Sequence, residues 1–192
     1  LSLDLVAAVG VGASTGVVVS LLPTIARRGG LEPLGLATLA AAPFLSSLLG
    51  VFAGRAGPRS VRQLALVRFA GAVSLVTLPL LPMPAWIIAV VMVLWLSVAF
   101  SAPFQFRHWG ATYPARIHAR VIGLLGTGRA AAAALAALLG GVLADRLGGP
   151  TAVALAGIMA AGCALAYARI SGRAGPAPLP FSAREAIRAM RE

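Results

Sequence analysis

Lysine is absent from the 192 residues, so all 16 basic side chains are arginine. A phosphate-binding loop of the usual kind needs its lysine, and that route to nucleotide chemistry is closed. Cysteine occurs once, as Cys163 inside an apolar run, which excludes an internal disulfide and a Cys-rich metal site. It is expected to be a small buried apolar side chain. Histidine is nearly as scarce: His108 and His118 both fall in one basic stretch outside the apolar runs. Gly12-Ala13-Ser14-Thr15-Gly16 matches the Gly-x-Ser-x-Gly expression of a hydrolase nucleophile. That motif needs a strand-to-helix turn and a base within reach, and neither accompanies it. No catalytic residue, metal or cofactor is expected.

Polar residues are too few to coat a globule. The chain is 59% hydrophobic and only 11% charged, with a mean hydropathy of +0.92, the composition of a polytopic membrane protein whose first partner is the lipid bilayer. A net charge of +11 raises the question of nucleic acid. The arginines, however, sit in short turns between apolar runs and in the tail, not on one polar face interleaved with aromatics. No nucleic-acid partner is expected, and the charge reads as a topology signal. Arginine without lysine, amid abundant Ala and Gly, fits a GC-rich bacterial genome. The chain opens on Leu1, as a fragment or a processed start would, with no separate charged region and cleavage site of a removable signal peptide.

A membrane crossing takes about 20 apolar residues, and six runs qualify, at about 5–25, 34–52, 64–80, 85–104, 121–143 and 151–167. The predicted fold is all-α, with a six-helix transmembrane bundle over 1–170. Gly12, Gly16 and Ser20 recur every fourth residue in the first run, and Gly128, Ala132, Ala136 and Gly140 do so in the fifth. Such stripes let a neighbouring backbone come close. Pro43 is expected to kink the second run, and Trp86 to anchor the fourth at an interface. From 171 to 192 the composition turns to Pro and Gly, then to a segment in which Ser182 and Glu185 form a capping box and Arg184, Arg188 and Arg191 share one face. A linker and a short amphipathic basic helix at the membrane surface are expected there. The turns after runs two and four and the tail are basic. That asymmetry predicts a multi-pass protein of the bacterial inner (plasma) membrane with both termini cytoplasmic, although Arg27 and Arg28 would then face outward.

The turn after the second run, Gly50 to Arg62, resembles the signature of the major facilitator superfamily, roughly Gly-x-x-Ala-Asp-Arg-x-Gly-Arg-Arg. Gly50, Ala53, Arg55, Gly57 and Arg59 match it in register, and Gly54 stands where the family has aspartate. A second copy, Gly141 to Gly148 with Asp145 and Arg146, follows the fifth run. The stretch Tyr113-Pro114-Ala115-Arg116 and the segment from Pro180 are similar to the family's fourth-to-fifth loop and interdomain linker. The resemblance implies one six-helix half of such a transporter, built as two inverted three-helix repeats in which the two turns correspond. It implies a cytoplasmic gate at the first turn, a second six-helix half as partner (from a longer chain or a second copy), and alternating-access transport of a small molecule. Ala136 and Ala137 replace the Gly-Pro of the family's antiporter signature, and no arginine precedes Arg107 in the fourth run, so motif does not support proton antiport.

Three ionisable residues are candidates for substrate or coupling. Arg129 lies near the middle of the fifth run, where an arginine costs about 2.5–3.5 kcal/mol or more. Either it faces a cavity and meets an anionic substrate group or a carboxylate of the second half, or the run starts later and its side chain snorkels. Arg68 lies about one and a half turns into the third run, and snorkelling is expected. Asp4, at the mouth of the first run, is expected to be an interfacial carboxylate near a helix N-terminus, with protonation during transport as the alternative. Runs two and four lack ionisable residues, which predicts a mostly apolar cavity and an amphipathic or hydrophobic cargo. The alternative to a transporter is a non-transporting six-helix scaffold or assembly subunit that uses its small-residue faces to pack.

Overall fold

The computed structural model describes residues 1–50, 58–81 and 83–169, and these contain six helices and no strand. They are α1 (Ser2–Arg28), α2 (Pro33–Gly50), α3 (Val61–Val76), α4 (Pro84–Thr112), α5 (Ala115–Leu147) and α6 (Gly149–Ala168). All but α3 are long and apolar enough to cross a membrane. Helix α3 has 16 residues, about 24 Å of rise against a hydrocarbon core of about 30 Å.

Local chemistry sets the helix ends. After α1, the Gly30 N–H donates to the Arg27 carbonyl at 3.1 Å and the Leu31 N–H to Ala26 at 2.9 Å. Gly30 makes this turn possible with a φ of 85°, a conformation that costs glycine little. Pro33 then opens α2 where its missing N–H is harmless. Ser60 caps α3 by accepting from the Gln63 N–H at 3.2 Å, and the Gln63 side chain accepts in return from the Arg59 N–H at 2.7 Å, a capping-box arrangement. Gly148, at φ 86°, is the single residue between α5 and α6.

Two helices end well beyond their sequence-predicted limits. Helix α4 runs to Thr112 rather than stopping near 104, and α5 begins at Ala115 rather than near 121. The expected basic and aromatic loop is therefore two helix ends joined at Tyr113 and Pro114. Gly141 and Asp145 likewise lie within α5, with Gly148 as its cap. Of the signature-like first turn, Gly50 ends α2 and Arg59 is exposed before α3; Ala53, Arg55 and Gly57 lie outside the described residues, as does the segment 171–192.

Helix α1 packs along α5 and α6, α4 packs along α2 and α3, and α3 packs along α6. Glycine permits the closest contact. A Cβ on Gly12 would overlap the Arg129 carbonyl, and one on Gly16 the Ala133 carbonyl, while Gly128 meets Leu5 and Gly140 meets Val17. The largest apolar cluster, with Leu22, Leu39, Leu75, Leu78, Ile87 and Val153, gathers toward the end of the bundle where α1 finishes. There Trp86 donates its indole N–H to the Thr77 hydroxyl at 3.0 Å. Hydroxyls such as Thr15 and Ser101 bond the preceding turn, at Val11 and Ser97, and are satisfied without water; buried Ser46 in α2 has no such partner among the described residues. Helices α2 and α5 keep large apolar side chains outside, among them Phe44, Leu48, Leu135 and Leu138.

Candidate functional site

The opposite end, where α1 starts, is polar inside. Asp4 is buried at 4% exposure, and its carboxylate accepts from three neutral donors. Oδ1 takes the Trp109 indole N–H at 2.9 Å and the Tyr167 hydroxyl at 3.1 Å; Oδ2 takes the Tyr113 hydroxyl at 2.6 Å. One carboxylate thus ties α1 to the end of α4, to the α4–α5 junction and to the end of α6. Burial, helped by the hydrogen bond to Asp4, raises the Tyr113 hydroxyl pKa above its ordinary value. His108 lies beside this knot, stacked on Phe104 and edge-on to Tyr167. Asp4 lies in the first turn of α1, as expected, but inside the bundle and not on its surface: extension of α4 past residue 104 brings Trp109 and Tyr113 over it.

Arg68 is also buried, at 8% exposure, and the expectation that it snorkels is corrected. Seven residues into α3, it is covered by α4 and donates through Nη2 to the Gln105 side-chain oxygen. Among the described residues its Nε and Nη1 have no hydrogen-bond partner. Among the described residues Asp4 is the buried acid, and both its oxygens are engaged by Trp109, Tyr113 and Tyr167.

Arg68 lines two adjoining spaces. One, of about 20 Å³, is shared with Ser14, Ser97 and Tyr167 and has room for little more than a water molecule. The other, of about 180 Å³, lies among α1, α3, α4 and α5. Arg68, Gln105 and Arg129 line its polar side; Val11, Val98, Phe106, Ile122 and Leu125 line its apolar wall, and Trp109 closes one side. Arg129 sits near the middle of the 33-residue α5 and is exposed on the cavity side of the bundle. Helical side chains lean toward the N-terminus of their helix, so Arg129 reaches over Gly126 and Leu125, which border the same space. Gly126 keeps that approach open, with no atom within 4 Å of a Cβ placed on it. A third space, of about 250 Å³ among Leu22, Pro23, Leu39, Pro43 and Trp95, lies toward the other end and has no ionisable side chain in its walls.

Of the predicted site residues, Arg68 and Arg129 thus meet at one cavity, and Asp4 stands behind its Trp109 wall. Asp145 and Arg146 are exposed near the far end of α5. The sequence leads to an expectation of a mostly apolar cavity; this space has apolar walls and a cationic pole. Sequence reasoning missed Gln105, Trp109, Tyr113 and Tyr167. The available signal was Gln105 and Tyr167 as isolated polar residues beside apolar runs; their partners lie 37 and 163 positions away. Among the described residues no cluster of His, Cys, Asp and Glu has the makings of a metal site. No known protein family, curated protein or solved structure matches this chain.

Proposed function

We propose that this chain forms one half of an alternating-access transporter of the major facilitator type, carrying a small molecule across a bacterial plasma membrane. The observation that carries this reading is the pairing of helices. Exchange α1, α2 and α3 for α4, α5 and α6, and the packing of α1 on α5 becomes that of α4 on α2. The packing of α1 on α6 becomes that of α4 on α3, and α3 on α6 maps onto itself. Such a pattern is expected of two inverted three-helix repeats. On this reading α3 completes a sixth crossing with the apolar turn that follows it, Leu78 to Leu81. The cavity of about 180 Å³ is small beside the 300–1,000 Å³ usual for ligand sites. A second half facing α2 and α5 would enlarge it and cover their outward side chains. Orientation follows from charge: Arg59, Arg62, Arg116, Arg120 and Arg169 are exposed around the Asp4 end, whereas Arg27, Arg28 and Arg146 share the other with Glu32 and Asp145. The Asp4 end is therefore cytoplasmic.

The scaffold alternative is disfavoured by where the small residues are spent. Gly12, Gly16, Gly128 and Gly140 all face the α1–α5 contact, which leaves that stripe closed to an outside partner.

The test is substrate-independent. In a Cys163→Ala background, Gly126→Cys reports the cytoplasmic cavity and Ala40→Cys the space at the other end. A bulky maleimide adduct at Gly126→Cys should hold the cytoplasmic side open and slow labelling of Ala40→Cys from outside several-fold. Equal rates with and without the first adduct would sink the transporter reading and favour the scaffold.

A further inference from the structure

We infer that the cavity between Arg68 and Arg129 binds a small organic monoanion, an oxyanion head on an apolar body. The assignment takes its role from the transporter reading and its chemistry from the cavity. Arg68 is more than nine-tenths buried, borders the cavity, and has two guanidinium nitrogens without a partner. A buried cation in that state is costly unless an anion completes it. Gln105 reinforces the pole: its amide oxygen accepts from Arg68, which leaves its NH₂ group to donate. Arg129 supplies the second guanidinium at the mouth. Among the described residues no carboxylate lines the space.

Formal charge sets the valence. Asp4, Arg68 and Arg129 together carry one positive charge, which a monoanion cancels and a dianion overshoots. The walls set the body. Phe106, Ile122 and Leu125 offer aromatic and aliphatic surface and no further polar side chain, so an aryl or branched-alkyl carboxylate fits better than a hydroxylated acid. A guanidinium would take a carboxylate or a monoester phosphate equally in kind; the single net charge favours the carboxylate.

The experiment uses the full chain purified in lipid nanodiscs, with 1-naphthoate as probe and 1-naphthamide as its uncharged isostere, followed by equilibrium dialysis and by quenching of tryptophan fluorescence. Naphthoate should bind at least tenfold more tightly than naphthamide, and phenyl phosphate more weakly than naphthoate. Arg129→Gln, at an exposed position that should not impair folding, should weaken naphthoate at least tenfold and leave naphthamide unchanged; Arg68→Gln should do the same, with partial rescue in Arg68→Lys. Equal binding of acid and amide, no binding of naphthoate or benzoate at millimolar concentration, or unchanged naphthoate affinity in Arg129→Gln would overturn the assignment. So would unaltered probe binding in a destabilised Arg68→Gln, which would give Arg68 to a carboxylate of the second half. Coupled maleimide labelling of the two ends without naphthoate binding defeats this inference alone; binding without coupling defeats the transporter reading and leaves the site.

Discussion

Removing the Asp4 carboxylate gives the most direct measure of what holds the Asp4 end of the bundle together. Asp4→Ala strands the Trp109 indole N–H and the Tyr167 hydroxyl in a buried setting, while the half-buried Tyr113 hydroxyl can turn to water. Hydrogen bonds between helices in a membrane average about 0.6 kcal/mol, so three such bonds set a floor of about 2 kcal/mol. Stranded buried donors cost about 1–3 kcal/mol each, and two of them lift the expected loss to about 2–6 kcal/mol. Asp4→Asn keeps one acceptor oxygen and should fall below this, at about 1–2 kcal/mol. The assay is reversible unfolding in mixed bicelles titrated with a denaturing detergent. A double-mutant cycle with Tyr167→Phe isolates the pair and should return a coupling of about 0.5–2 kcal/mol. A loss under about 0.5 kcal/mol for Asp4→Ala, or strict additivity with Tyr167→Phe, would refute the carboxylate knot.

Two further outcomes follow from the packing and the titration of this end. Gly16→Leu drives a side chain into the Ala133 carbonyl, so α1 and α5 must part; a loss of at least 2 kcal/mol is expected by the same unfolding assay, against little change for leucine at Gly141, which has nothing within 4 Å. For Tyr113, burial and the Asp4 hydrogen bond raise the hydroxyl pKa in the folded state. The sign follows: the neutral phenol is favoured by folding, so its contribution is complete below the unfolded pKa of about 10 and is lost as pH climbs through the higher folded value. In Tyr167→Phe, absorbance near 295 nm should therefore show no tyrosinate at pH 10 while the protein is folded and a step of about half a tyrosinate on unfolding; a half-titrated signal at pH 10 in the folded protein would contradict it.

The helical class and the close-packing faces of α1 and α5 were legible because both are written in local spacing, whereas their pairing with each other was not. Runs of apolar residues predict helices wherever they occur, and glycines at Gly12 and Gly16 mark a face whatever partner it meets. The polar end was not legible, for a physical reason. Depth in the run was the basis for expecting Arg68 to snorkel, but what buries it is Gln105 on another helix. Asp4 looked interfacial since its donors are brought from residues 109, 113 and 167. The end of α4 was misplaced by the same omission: an arginine and a histidine after residue 104 signal an exit from an apolar phase, yet burying His108 and Trp109 repays two more turns of helix.

These contacts also explain why two opposite buried charges are not paired with each other. A direct Asp4–Arg68 bond would satisfy both side chains and leave the cavity without a buried cation. Instead Asp4 is satisfied by an indole and two phenols, and Arg68 keeps two nitrogens unspent. Trp109 belongs to both arrangements, with its N–H on Asp4 and its ring on the cavity wall. Under the proposed mechanism, an aryl carboxylate seated against that ring would press on the residue that fastens α4 to α1. Occupancy of the site and integrity of the Asp4 knot would then be linked through one side chain. Trp109→Phe keeps an aromatic ring, smaller than the indole, and removes the donor, so it should leave naphthoate affinity within about threefold while weakening the knot by about 1–2 kcal/mol; loss of both together would mean that the ring's position depends on the bond to Asp4, and the two sites are one.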